Sequence, residues 1–141
     1  MKMKYTRDDY NLTLPVFDKI VEDLKVPDLW VRDALATDVL GYPVASNNSE
    51  AVHWCLLGLI EKHTYENGVK YQIAKDEIEK EISSRTHVKN AGIIYYNDKY
   101  ARHVSDVLSV VCEAKQAVHQ KTLPWWNWRH WIPRSILPLT S

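Results

Sequence analysis

Between Ala51 and His63 the chain carries a segment that is apolar nearly all the way round. Val52, Cys55, Leu56, Leu59 and His63 would share one face, and Trp54, Leu57 and Ile60 leave little polar surface between them. A helix of that kind has no side to give to water, so the rest of the chain must be built around it. Ser46-Asn47-Asn48-Ser49-Glu50 precedes it, a cluster of N-cap residues. With Asn47 as the cap, Glu50 stands three residues on, where a capping-box acid belongs. Gly58 costs about 1 kcal/mol inside a helix, which points to close approach by a neighbouring helix.

The expected neighbours are amphipathic. Leu14, Phe17, Ile20, Val21 and Leu24 recur at helical spacing against charged residues, with Thr13 or Asn11 as cap and Pro15 in the first turn. Val31, Leu35 and Val39 suggest a short helix ending at Gly41, before a Gly41-Tyr42-Pro43 turn. Ala74, Ile78 and Ile82 sit on a charged helix on which Asp76 and Lys80 are spaced to pair. Glu77 and Glu81 read as part of its solvated face. A final helix, from Lys99–His103 to about Gln120, carries Val104, Val107, Leu108, Val111, Cys112 and Val118. Ala91 to Tyr96, with Ile93, Ile94, Tyr95 and Tyr96, is the one segment that reads as a strand. The expected fold is mainly α: a single compact domain of four to five helices over residues 1–121 with at most one short strand. A Trp-rich C-terminal arm follows over residues 122–141.

A chain of 141 residues buries roughly 68% of its unfolded surface, enough to fold without a metal or disulfide. Eighteen basic residues balance eighteen acidic ones, which argues against a surface coated for nucleic acid. The balance is uneven along the chain: residues 85–141 hold eight basic residues against three acidic ones. Cys55 and Cys112 fall in apolar helical patterns and read as buried thiols of a reducing compartment. The N-terminus shows no signal-peptide pattern, and the longest apolar run, Trp54 to Ile60, is too short to span a bilayer. The expectation is a cytoplasmic protein.

Trp30, Ala36-Thr37-Asp38, Gly41, Pro43-Val44, Ala51-Val52-His53-Trp54-Cys55-Leu56-Leu57-Gly58, Asn97-Asp98, Arg102 and Val107-Leu108 occur in one recognisable order. That order resembles an uncharacterised family of small phage and actinobacterial proteins, a domain of unknown function. Its pattern runs tryptophan, A-x-D-x-x-G-x-P-V, W-C-x-x-G-A, then an aromatic-N-D opening a last helix. The likeness covers about Trp30 to Ala117 and departs at Leu59, where alanine is usual, and at Tyr96, where tryptophan is usual. The resemblance implies a phage-like setting, in a bacterial host cytoplasm, and no chemistry.

Two groups of residues are candidate sites. Asn97-Asp98 precedes a helix, where Asp98 fits an N-cap. The other reading has Asp98, Arg102 and His103 facing a cleft with Asp38, to bind phosphate or carboxylate or to work as acid and base. His53 and Cys55 are two apart, pointing apart on a helix, and Cys55 would lie inside its helix, so a buried structural thiol is the better reading. No histidine pair has metal-ligand spacing, and no cofactor motif is present. In the arm, Trp125, Trp126, Trp128, Arg129 and Trp131 read as a partner or self-association surface, against packing on the chain's own core. Membrane association through these indoles is the third reading. The function expected is that of a non-catalytic phage-type accessory protein binding a host or phage component, an inhibitor of bacterial defence being its concrete form. The alternative is a small-ligand or nucleotide site, hydrolytic or not, around Asp38, Asp98, Arg102 and His103.

Overall fold

In the computed structural model, which describes residues 4–65, 68–88 and 92–124, the chain is mainly helical, with one small sheet. The elements run α1 Arg7–Leu24, β1 Ala36–Thr37, β2 Pro43–Val44, β3 His53–Trp54, α2 Leu56–Thr64, α3 Gly68–Thr86, α4 Ile93–Tyr95 and α5 Val104–Lys121. A π-helical turn, Tyr96–Tyr100, continues α4. Helix α5 packs along α1 and α3, and α2 packs against both of those helices. Phe17, Ile20, Leu56, Leu59, Ile60, Ile73, Ile78, Ile82, Val107, Val110 and Val111 fill the space between them.

Helix α1 starts a full two turns before the expected Leu14. Thr6 and Asp9 form its capping box: Thr6 Oγ1 accepts from Asp9 N at 3.1 Å and Asp9 Oδ2 accepts from Thr6 N at 3.0 Å. Pro15 therefore lies inside the helix, not in its first turn. Continuous burial of Tyr10, Thr13, Val16, Phe17, Ile20 and Leu24 against the other helices compensates the backbone bond that proline removes.

The largest departures from the sequence expectations fall between Trp30 and Trp54. No helix forms over Val31 to Val39. Instead β1 pairs antiparallel with β2 (Ala36 opposite Val44, Thr37 opposite Pro43) and with β3 (Ala36 opposite Trp54, Thr37 opposite His53). The order is β2-β1-β3, so the described residues hold three short strands, not one at most. Ala51 to Cys55 thereby leaves the expected helix, His53 and Trp54 entering the sheet, and α2 begins only at Leu56. The Ser46–Glu50 cluster forms a turn in place of a helix cap, with Asn48 Oδ1 accepting from Glu50 N at 2.8 Å. Cys55 is the N-cap of α2, and its Sγ accepts from Gly58 N at 3.3 Å. Burial pushes this thiol above its usual pKa despite that bond, which keeps it protonated and inert. The element packed against Gly58 is the backbone of Leu35, not a helix.

Ala91 is not among the described residues, and Ile93 to Tyr96 is helical, not extended. Apolar runs this short do not distinguish a strand from a buried helical turn. Cys112 is exposed, while Val110 and Ala114 take the buried positions of α5.

Glu77 is buried, not solvated. Its Oε1 pairs with Lys121 Nζ and, at 3.5 Å, with Lys80 Nζ, while the Lys121 ammonium lies 5.3 Å from the Tyr10 ring centre. Lys80 thus pairs with Glu77 in place of Asp76. Glu81 is half-buried against Arg85 at 2.8 Å. The Glu77–Lys121 pair fastens the end of α5 to α3. Lys121→Ala is expected to cost about 3 kcal/mol because it leaves a buried carboxylate with one exposed cation. Glu77→Leu combined with Lys121→Met is expected to be nearly neutral, which urea denaturation of the single and double variants checks.

Candidate functional site

The Asn97-Asp98 pair lies in the π-helical turn, where the Ala101 N–H reaches back to Tyr96 O at 2.8 Å. Asn97 is fully buried, and its amide uses its whole hydrogen-bonding capacity. Its Oδ1 accepts from Trp30 Nε1 at 2.6 Å and from Leu56 N at 3.0 Å. Its Nδ2 donates to Val31 O at 3.1 Å and to Asp98 Oδ1 at 2.9 Å. One side chain therefore ties the loop after α1, the start of α2 and the π-helical turn together.

Asp98 does not cap α5. Its Oδ1 accepts from Asp33 N at 3.0 Å, which holds Asp33 in a left-handed conformation, φ 64°. The carboxylate at the start of α5 is Asp106, which accepts from Arg102 N at 2.9 Å and His103 N at 3.0 Å. Those backbone bonds hold the Asp106 carboxyl below its usual pKa. The side chains of Arg102 and His103 are exposed. Asp38 braces its own turn, its Oδ1 accepting from Leu40 N at 3.0 Å and Tyr42 N at 2.9 Å. No hydrogen bond or ion pair among the described residues joins the side chain of Asp38 to those of Asp98, Arg102 or His103. Trp125, Trp126, Trp128, Arg129 and Trp131 lie outside the described residues.

What the Asn97 hub does position is a cleft of about 470 Å³ between the Trp30–Ala34 loop and the sheet. Its walls include Asp28, Trp30, Arg32, Asp33, Thr37 and His53, with Gly41 and Pro43 of the hairpin at one side. Thr37 Oγ1 and His53 Nδ1 stand 3.1 Å apart. The Arg32 guanidinium lies 5.1 Å from the Trp30 ring centre and donates to Ala101 O. The carboxylates of Asp28 and Asp33 take no partner among the described residues. His53 was visible in the sequence only as a neighbour of Cys55. Its pairing with Thr37 depends on the sheet, whose two-residue strands leave no periodic signal.

Beside the cleft stands the β1–β2 hairpin. Asp38 N donates to Tyr42 O and Gly41 N to Asp38 O, both at 3.0 Å, and Gly41 supplies a φ of +87°. With its backbone so fixed, the tip holds Val39, Leu40 and Tyr42 in water at 79%, 77% and 65% exposure.

Elsewhere, Asp23 Oδ2 accepts from Lys62 Nζ at 2.8 Å and stands 2.7 Å from His63 Nε2. An ionised carboxylate only accepts, so Nε2 carries the proton. Burial raises the Asp23 carboxyl, but the bonds from Lys62 and His63 outweigh it and the net shift is downward. Burial also pushes the His63 imidazole below its usual range, against the pull of Asp23. A folded pKa below the unfolded one gives stability that is complete above the unfolded value and lost as pH falls. Unfolding free energy is therefore expected to decline as pH drops from about 7 through 6, as His63 titrates in the unfolded chain. His63→Gln should flatten that slope in urea titrations at stepped pH; an unchanged slope would remove His63 as its cause.

No family model, curated protein or solved structure matches the chain. Among the described residues no group of His, Cys, Asp or Glu is arranged to hold a metal ion, and no helix is long and apolar enough to cross a membrane.

Proposed function

We infer that the protein is a non-catalytic binding protein which engages a protein partner through the hairpin tip and the adjoining cleft. The exposure of Val39, Leu40 and Tyr42 on a braced turn carries this reading. Three large apolar side chains exposed within four residues of one turn are the kind of surface that marks a contact site. Asp38, Asn97 and Asp98 are engaged in holding the backbone of this face, which makes them its scaffold. In its finer form, the protein is a phage-type accessory protein acting on a host or phage component in a bacterial cytoplasm, inhibition of a defence system being one such role. That form is supported by the resemblance over Trp30 to Ala117 and by no single residue.

A photo-crosslinking residue at position 40 tests the binding face, with one at exposed Glu113 on α5 as the control. A discrete adduct formed from position 40 and not from 113 is expected. Equal labelling from both positions, or none from 40, would refute the assignment of the hairpin.

A second reading, a small ligand in the cleft, is supported by the unpartnered carboxylates of Asp28 and Asp33 beside the Thr37–His53 pair. These acids favour a cationic or neutral ligand over a nucleotide.

A further inference from the structure

A second groove, of about 510 Å³, runs between α1 and the start of α3 and shares no wall residue with the hairpin cleft. Three of its wall residues are large apolar side chains standing in water: Leu12 at 61%, Tyr65 at 78% and Val69 at 42% exposure. Lys19 and Lys70 also line it, and neither makes an ion pair or hydrogen bond among the described residues. The other titratable groups among its described wall residues, Tyr65 aside, are Asp9 and His63. Asp9 is bonded to Thr6 N in the capping box, and His63 is bonded to Asp23, whose carboxylate also holds Lys62. The groove therefore offers apolar walls and, among its described residues, two ammonium groups without an ion-pair partner against the one carboxylate of Asp9.

We propose that this groove docks an acidic, apolar peptide segment of a partner protein, its Leu or Phe side chains against Leu12, Tyr65 and Val69 and its carboxylates on Lys19 and Lys70. Charge complementarity selects this occupant. A basic or neutral segment would leave both ammonium groups unpaired, and an inorganic anion would leave the three apolar side chains exposed. The site is independent of the hairpin reading and stands or falls separately from it.

The test is fluorescence anisotropy with the full chain and a labelled dodecapeptide alternating Glu with Leu and Phe. Saturable binding is expected, weakened about 10-fold or more by Lys19→Glu with Lys70→Glu, and likewise by Leu12→Asp. All three positions are exposed, and circular dichroism melting verifies that the variants remain folded. Replacing Glu by Gln in the peptide, or Leu and Phe by Ser, should each abolish binding. Absence of saturable binding, or unchanged affinity in the charge-reversed variant, would overturn the proposal. So would equal binding of the Ser-substituted peptide, or its displacement by inorganic phosphate at constant ionic strength, since either defines a simple anion site. A dimer in sedimentation velocity that Leu12→Asp dissociates would give the groove to a second copy of the chain and overturn it as well.

Discussion

Asn97→Ala is expected to lower the unfolding free energy by about 3–5 kcal/mol, among the largest effects available to a single substitution here. The loss is not that of four ordinary hydrogen bonds. Truncation leaves Trp30 Nε1, Leu56 N and Val31 O without the partner each now has, the Leu56 amide buried and the other two groups half-buried. Each such orphan costs about 1–3 kcal/mol, and relaxation of the loop recovers part of the sum. Asn97→Asp should be nearly as damaging although its shape is almost the same, because a carboxylate cannot donate to Val31 O and would stand 2.9 Å from Asp98. Urea denaturation measures both. Because Asn97 also anchors the Trp30–Ala34 loop, amide exchange at Val31 and Asp33 should accelerate in folded Asn97→Ala beyond what global destabilisation requires. Exchange that follows global stability alone would show that the loop is held by other contacts.

Gly58→Ala is the second large effect, expected to destabilise by about 3 kcal/mol or more. A Cβ at this position would lie 2.0 Å from Leu35 O, a backbone atom that cannot rotate away. That carbonyl accepts from Cys55 N at 3.1 Å, and the next residue, Ala36, pairs with Trp54 across β1 and β3. Making room for a methyl group therefore means moving the sheet off the start of α2. The usual gain in helix propensity from Gly to Ala, about 1 kcal/mol, is too small to offset this. Calorimetric unfolding of Gly58→Ala against the parent chain checks it, and an unchanged or raised melting temperature would contradict the packing described.

What the sequence made legible follows from period. The stripes of α1, α3 and α5 were correctly assigned to the core because Phe17, Ile20 and Leu24, Ala74, Ile78 and Ile82, or Val107 and Val111 repeat over several turns. Short elements carry no such repeat. The sheet consists of two-residue strands, set by pairing between positions up to 18 apart in sequence, Ala36 with Trp54. Local patterning could not recover it, and an apolar run that continues from β3 into α2 read as one longer helix. Glu77 was misplaced for a related reason: its partner Lys121 lies 44 residues away and is brought close only by the packing of α5 on α3. The Asn97-Asp98 dipeptide was legible as significant but not in its role, since the four groups it binds come from three separate segments. Of the hairpin tip only Gly41-Tyr42-Pro43 was legible as a turn, while Val39 read as the end of a helix, because exposure of Val39 and Leu40 is a property of the fold and not of their identity.

The central claim is that the braced hairpin tip is a contact surface and not part of the fold's support. It is tested most directly on one variant, Val39→Ser with Leu40→Asp and Tyr42→Ser, by measuring affinity for the partner crosslinked through position 40 together with thermal unfolding. The predicted result is an affinity loss of at least about 10-fold, with an unfolding transition indistinguishable from that of the parent chain. Unchanged affinity in a variant that remains folded would contradict it.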